Sequence, residues 1–145
     1  YLGLTLILLG YLYSWKPIRL KAFPLVDIIS HSLMLGGLIV LTGYFAYPNE
    51  PFRITPVFLS VVFFSAYGQF YNQIRDFKAD QKSKIKNTSI LLGKRNAEIL
   101  MWLCFSIASA LVAYAFLAGI LSVRILAVGG AVGLSAYLLA RKVRG

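Results

Sequence analysis

An all-α, multi-pass transmembrane helix bundle is the predicted fold class, and three observations carry it. Fifty-nine per cent of the 145 residues are hydrophobic. Mean hydropathy is +0.73, more apolar than a water-soluble domain of this size needs. Four long apolar runs stand at about Leu25–Tyr47, Ile54–Tyr71, Ala97–Phe116 and Leu121–Ala140. Each is close to the roughly 20 residues that cross the hydrocarbon of a bilayer as a helix. The expectation is therefore four full helices, preceded by a partial one at Tyr1–Ser14 that is too short to span. The chain starts at Tyr1 inside that apolar run, so residues 1–145 are expected to form one transmembrane domain truncated at its N-terminus. The stop at Gly145, directly after the fourth run, leaves room for a further helix beyond it.

Net charge is +10, from fifteen Lys and Arg against five Asp and Glu. Taken alone it invites nucleic acid, but its distribution points to topology. If the helices alternate, thirteen basic residues fall on one side: Lys16, Arg19 and Lys21, then seven between Arg75 and Arg95, then Arg141, Lys142 and Arg144. Only Arg53 and Arg124 fall on the other. Positive-inside bias makes the thirteen-residue side cytoplasmic. An integral membrane protein is expected, in a bacterial or archaeal plasma membrane, with lipid around it and no nucleic-acid partner.

The elements follow in order. Tyr13 and Trp15 close the first segment where an interfacial aromatic belt would place them. Pro17 and Pro24 keep the flanking helices from merging. The next helix carries Asp27 and His31, four apart and so on one face. A metal site from that pair is conceivable, but a hydrogen-bonded structural pair is the simpler expectation. Gly36, Gly37 and Gly43 suggest close helix approach. Residues Tyr47 to Arg53 form an external turn, with Pro51 just outside the following helix and Pro56 in its first turn, where proline is tolerated. Beyond Asp80 the chain is polar and basic, then briefly apolar, then broken by Gly93. A loop with a helical turn or two is expected there, covering the mouth of the bundle. The last two helices join near Leu117-Ala-Gly119, and Gly129 with Gly133 reads as a helix-packing pattern. Cys104 is the only cysteine and lies in an apolar run, so it reads as a small apolar filler.

The chemistry concentrates in Asn72-Gln-Ile-Arg-Asp76-Phe-Lys-Ala-Asp80, at the end of the second full run. Spacing by four sets Asn72, Asp76 and Asp80 one turn apart on one helix face. Ser65 and Gly68 extend that stripe, flanked by Phe63, Phe64, Tyr67, Phe70 and Tyr71. A small-polar stripe between aromatics suits the wall of a cavity inside a helix bundle. Lipid has no use for two acids at a helix end. A divalent cation carrying a diphosphate does, because hard carboxylate oxygens hold Mg²⁺ and Mg²⁺ bridges phosphate oxygens.

Two segments make the resemblance explicit. Asp76-Phe-Lys-Ala-Asp80, a basic loop, then Ile90-Leu-Leu-Gly-Lys-Arg-Asn-Ala97 resembles the second aspartate-rich motif of the UbiA-type intramembrane prenyltransferases and its sequel. Tyr13-Ser-Trp-Lys-Pro-Ile-Arg-Leu-Lys21 resembles a loop that the same superfamily carries between two helices. The resemblance implies a nine-helix bundle, of which this chain is the middle-to-late part. It implies Mg²⁺-dependent transfer of an isoprenoid chain from a prenyl diphosphate to a lipophilic or aromatic acceptor. Asp76 and Asp80 would be the metal ligands and catalytic residues. Asn72 would orient a ligand or water on their face. Arg19 and Lys21, with Lys82 by position, would contact the diphosphate. Mg²⁺ and cations aimed at the leaving oxygens favour the transition state, in which negative charge grows there. Apolar and aromatic walls would keep water from an allylic cation and attract it by cation–π contact.

Departures from the family pattern are visible too. The first aspartate-rich motif is absent from these residues, so the chain by itself is expected to bind metal-diphosphate weakly and not to catalyse. Lys84 stands where the family often has Gly, and Ser89 where Pro is common. The competing expectation is a non-catalytic integral membrane protein, such as a transporter fragment or scaffold, whose two acids pair with neighbouring basic residues.

Overall fold

The computed structural model describes residues 1–46, 50, 52–125, 127, 128, 131 and 135. Within them every regular element is helical: α1 (Leu2–Ser14), a 3₁₀ turn (Leu20–Ala22), α2 (Val26–Ser32), a π turn (Leu33–Gly37), α3 (Leu38–Tyr44), α4 (Thr55–Arg75), α5 (Phe77–Lys82), α6 (Thr88–Leu92) and α7 (Lys94–Leu117). The fold is an all-helical membrane fold. α2, the π turn and α3 run together as one rod, Val26–Tyr44. That rod and α7 are each long and apolar enough to cross a membrane. α4 has 21 residues, about 30 Å at 1.5 Å per residue, and starts with Pro56 in its first turn as expected. Most of the Leu121–Ala140 run, Gly129 and Gly133, Arg141, Lys142 and Arg144, and Pro51 with most of the Tyr47–Arg53 turn lie outside the described residues.

α4 is the centre of the packing. On one side it meets α7 through rings: Tyr67 and Phe105 have centroids 5.3 Å apart, Phe64 and Phe105 5.9 Å, Tyr67 and Trp102 6.2 Å. Beneath them Ala66 and Phe70 join Ala97 and Met101 of α7 and Ile28 of α2 in the buried core. On its other side α4 meets the π turn. A Cβ on Gly36 would lie 3.0 Å from the Val61 carbonyl oxygen and 3.1 Å from Ser65 Cβ. On Gly37 it would lie 2.5 Å from the Phe58 ring. Both glycines therefore mark close approach, and Ser65 serves packing. Gly43 does not: nothing comes within 4 Å of its Cβ position, because the rod touches α4 through α2 and the π turn and hardly at all through α3. Gly68 is equally open, so the stripe packs at Ser65 and no longer at Gly68.

Because the rod and α4 run in opposite directions, the loop after α1 and the loop after α4 meet at one end of the bundle. Leu25 N–H donates to Thr88 Oγ1 at 2.7 Å across 63 positions of sequence. At the opposite end Tyr44 OH donates to the Glu50 carbonyl at 2.8 Å. Gly93, at φ 79°, separates α6 from α7, and Gly119, at φ 68°, follows the end of α7. A left-handed φ comes readily only to glycine, which is why both turns use it.

Candidate functional site

The single acidic helix face expected over Asn72, Asp76 and Asp80 is interrupted. α4 ends at Arg75, Asp76 takes φ −90° and ψ 3°, and α5 restarts at Phe77. The spacing by turns survives the break. Asp76 N–H donates to the Asn72 carbonyl at 3.0 Å, and Asp80 N–H donates to that of Asp76 at 2.9 Å. The pause comes where the chain leaves the apolar bundle and no packed neighbour holds it to α geometry. Asn72 and Asp76 are exposed and Asp80 is half-buried.

The two acids differ in their partners. Arg75 donates from Nε and Nη2 to the two Asp76 oxygens at 3.0 and 3.2 Å. That hydrogen bond, and the guanidinium charge behind it, holds the Asp76 carboxyl below the ordinary carboxylate range. Asp80 instead accepts from Asn87 Nδ2 at 2.8 Å. Asn87 is buried, and its own Oδ1 caps α6 by accepting from Ile90 N–H at 2.9 Å. Asp80 is thus oriented by a residue that is itself fixed in place.

Behind this turn lies a buried polar knot. Asp27 is 1% exposed. Its Oδ2 accepts from Gln73 Nε2 at 2.7 Å and from Thr88 N–H at 3.0 Å. Its Oδ1 accepts from Ile28 N–H at 2.8 Å and from the Thr88 hydroxyl. Gln73 completes the circuit, its Oε1 accepting from Ser89 N–H at 3.0 Å. The Asp27–His31 hydrogen bond expected from their spacing does not form, because Gln73 and Thr88 take both Asp27 oxygens. His31 faces the Tyr13 ring instead, centroids 6.0 Å apart. Proline at position 89 would have no N–H for Gln73, so the serine here serves the knot. Gln73, Asn87 and Thr88 escaped the sequence reading, and Ser89 entered it only as a departure from the family pattern. The available signals were a glutamine just past the end of an apolar run and an Asn-Thr-Ser start before Ile-Leu-Leu.

The expected basic contacts also gather. Arg19 and Lys21 share a cleft of about 540 Å³ with Ser83, Lys84, Ile85 and Lys86. Lys82, although on α5 nearby, does not line it. Arg19 at φ 44° and Lys84 at φ 54° are both left-handed, as is Leu25 at φ 68°. Those three are the positive-φ non-glycine residues among the described ones, and all sit at this end. Strained backbone of this kind collects at functional sites. Glycine at position 84 would adopt that conformation freely.

The aromatic residues flanking the stripe divide between two jobs. Phe64 and Tyr67 pack on α7, whereas Phe63 and Phe70 line an apolar hollow of about 280 Å³ with Ser32 and Cys104. Cys104 packs against the core, as its apolar setting suggested. Among the described residues no group of three or more His, Cys, Asp or Glu could hold a metal by itself. Asp76 and Asp80 are hard oxygen donors one turn apart, each open to solvent in part. They fit a Mg²⁺ that takes its remaining ligands from phosphate and water.

Residues 1–145 match the UbiA prenyltransferase family. The chain belongs to that family. Two curated relatives are similar to it. A homogentisate phytyltransferase from Synechocystis sp. is 30% identical over 66% of this chain and 34% of its own length. A 1,4-dihydroxy-2-naphthoate octaprenyltransferase from Bacillus subtilis is 27% identical over 74% of this chain and 34% of its own. This UbiA-family chain therefore spans about a third of the length of the curated relatives it matches. No solved structure matches it.

Proposed function

We propose that the protein to which this chain belongs is a Mg²⁺-dependent membrane prenyltransferase. It transfers an isoprenoid chain from a prenyl diphosphate to a lipophilic or aromatic acceptor. Family membership supports the transferase class. One observation carries the assignment of the site: both motif-bearing loops meet at one end of the bundle, the cations of the first in a cleft with the turn that follows Asp80. Asp76 and Asp80 would hold Mg²⁺, which supplies charge neutralisation at the departing diphosphate. Asn87 orients Asp80, Asn72 lies a turn before Asp76, and Arg19 and Lys21 offer positive charge to the phosphate oxygens. Lys82 stands next to this turn as a further cation.

The test uses the full-length protein in membranes. Asp76→Asn and Asp80→Asn should each lower prenyl transfer by about a hundredfold, on the scale of removing one preorganised transition-state contact. Undiminished transfer in the double variant would take Asp76 and Asp80 out of the site, and a parent protein that transfers no prenyl group would return it to the non-catalytic class. The Arg75–Asp76 pair is what that alternative expects, so activity rather than geometry separates the two.

The acidic turn is proposed to face the cytoplasm, in line with the thirteen-to-two split of basic residues. In a cysteine-free background, Lys82→Cys should react with an impermeant maleimide only in inverted vesicles. Arg124→Cys should react only in right-side-out ones. The reverse pattern would invert the topology.

A further inference from the structure

We infer that Tyr13, His31 and Gln69 form the acceptor end of the site, where a phenolic hydroxyl is held and its proton passes to His31. The inference rests on the transferase reading and names an acceptor class for it, a hydroxylated aromatic ring. The three side chains come from three elements and meet one turn deeper than the buried knot. His31 stands one turn past Asp27 on α2, and Gln69 one turn before Gln73 on α4. Their rung parallels the Asp27–Gln73 rung, about 6 Å further from the basic end at 1.5 Å per residue. Tyr13, in the last turn of α1, bridges the two helices. Its hydroxyl oxygen accepts from Gln69 Nε2 at 3.4 Å, and its ring lies 6.0 Å from that of His31. Gln69 also shares a helix face with Asn72 and Asp76, so the rung lies on the stripe that leads to the acidic turn.

The hydrogen-bond accounting points to a ligand. All three residues are half-buried, and His31 lies in the Val26–Tyr44 rod, which is apolar enough to cross a membrane. Among the described residues the Tyr13 O–H has no acceptor, Gln69 Oε1 has no donor, and neither His31 nitrogen has a hydrogen-bond partner. A neutral imidazole adds one donor and one acceptor to that unspent set. Polar groups at such depth are costly unless something engages them. The set contains no Lys or Arg, so it matches a neutral hydroxyl better than a phosphate. A phenol both gives and takes a hydrogen bond through one oxygen, and its ring packs on the Tyr13 and His31 rings.

The transfer balances with this assignment. A ring carbon beside the hydroxyl bonds to C1 of the prenyl chain while the C1–O bond breaks, and the electron pair leaves with the diphosphate. The hydroxyl proton passes to the neutral His31 imidazole, giving a dienone. Movement of the ring-carbon hydrogen to oxygen as a proton then restores the aromatic ring. The products are the prenylated phenol, diphosphate and one proton, with no oxidant or reductant. Asp27, one turn away on the same helix, favours the imidazolium by its charge.

The test measures transfer by the full-length protein in nanodiscs with Mg²⁺ and geranylgeranyl diphosphate. The acceptors are 1-naphthol, hydroquinone and a lipid extract of the native membranes, and inhibition by inorganic diphosphate reads the donor side separately. Transfer to at least one of the phenols is expected. His31→Ala should lower kcat about a hundredfold, the scale of removing a proton acceptor, and leave diphosphate inhibition unchanged. Added imidazole should restore about tenfold of that loss, which a packing role would not allow. Tyr13→Phe should raise KM for the phenol about tenfold, with kcat little changed. The inference is overturned if the parent protein transfers to the extract but to neither phenol, or if His31→Ala keeps full kcat. It is also overturned if diphosphate inhibition weakens in step with transfer, if imidazole restores nothing, or if Tyr13→Phe leaves KM unmoved. Each of those outcomes leaves the transferase reading standing. A parent that transfers to no acceptor, the extract included, fails that reading and this inference with it.

Discussion

Gln73 donates its side-chain amide to Asp27 Oδ2 at 2.7 Å, joining α4 to α2 across 46 positions of sequence. The same Asp27 receives Thr88, and the same Gln73 receives Ser89, so one buried carboxylate and one buried amide fasten the basic loop to two helices. Asn87, next to Thr88, then orients Asp80. The acidic turn owes its position to residues outside the acidic motif itself.

Asp27→Ala should therefore unfold more easily. It leaves the Gln73 amide and the Thr88 N–H and hydroxyl without acceptors in a buried place, each costing about 1–3 kcal/mol. Thermal unfolding of the purified full-length protein in micelles should show a lowered midpoint, with Asp27→Asn in between. An unmoved midpoint for Asp27→Ala would mean that these bonds contribute nothing.

Gly36→Ala should destabilise where Gly43→Ala does not. The added methyl at Gly36 meets the Val61 backbone oxygen at 3.0 Å, and backbone cannot swing aside as a side chain can. Overpacking of this kind costs about 1–3 kcal/mol. At Gly43, the residue before the last of α3, nothing lies within 4 Å, so the added methyl meets no clash and the change should be neutral or mildly stabilising. Midpoints that shift equally in the two variants would contradict the close contact between the π turn and α4.

Arg75→Gln should raise the pH at which Asp76 takes up a proton. The Arg75 hydrogen bond keeps that carboxyl below its ordinary 3.8 in the folded protein. A depressed value means the pair contributes above the ordinary carboxylate range and is lost as pH falls through the depressed value. Without the guanidinium the carboxyl returns toward the ordinary range. Infrared titration of ¹³C-labelled aspartate in metal-free protein would follow it. A carboxylate band identical in parent and variant would show that Arg75 does not hold Asp76.

Much of this was legible beforehand, for a reason that can be stated residue by residue. The rod, α4 and α7 were readable because an apolar stretch of membrane length leaves the backbone few options but a helix. Gly36, Gly37, Pro56 and Gly93 each did what local stereochemistry demands. The Asp27–His31 pair and Gly43 went the other way. Spacing by four says which side chains could meet along one helix, and nothing about what another helix brings closer.

Composition and hydropathy alone determined that this chain is a bundle of apolar helices, since burial of apolar surface acts locally along the sequence. The motif residues alone pointed to the UbiA family, to which the chain belongs. Only the tertiary structure decided how they are held: the break at Asp76, the Asp27–Gln73–Thr88 knot, and the convergence of Arg19 and Lys21 with Lys84 and Lys86. Those depend on hydrogen bonds and charges between segments about 45 to 65 residues apart, where each polar group accepts whichever partner the packing delivers.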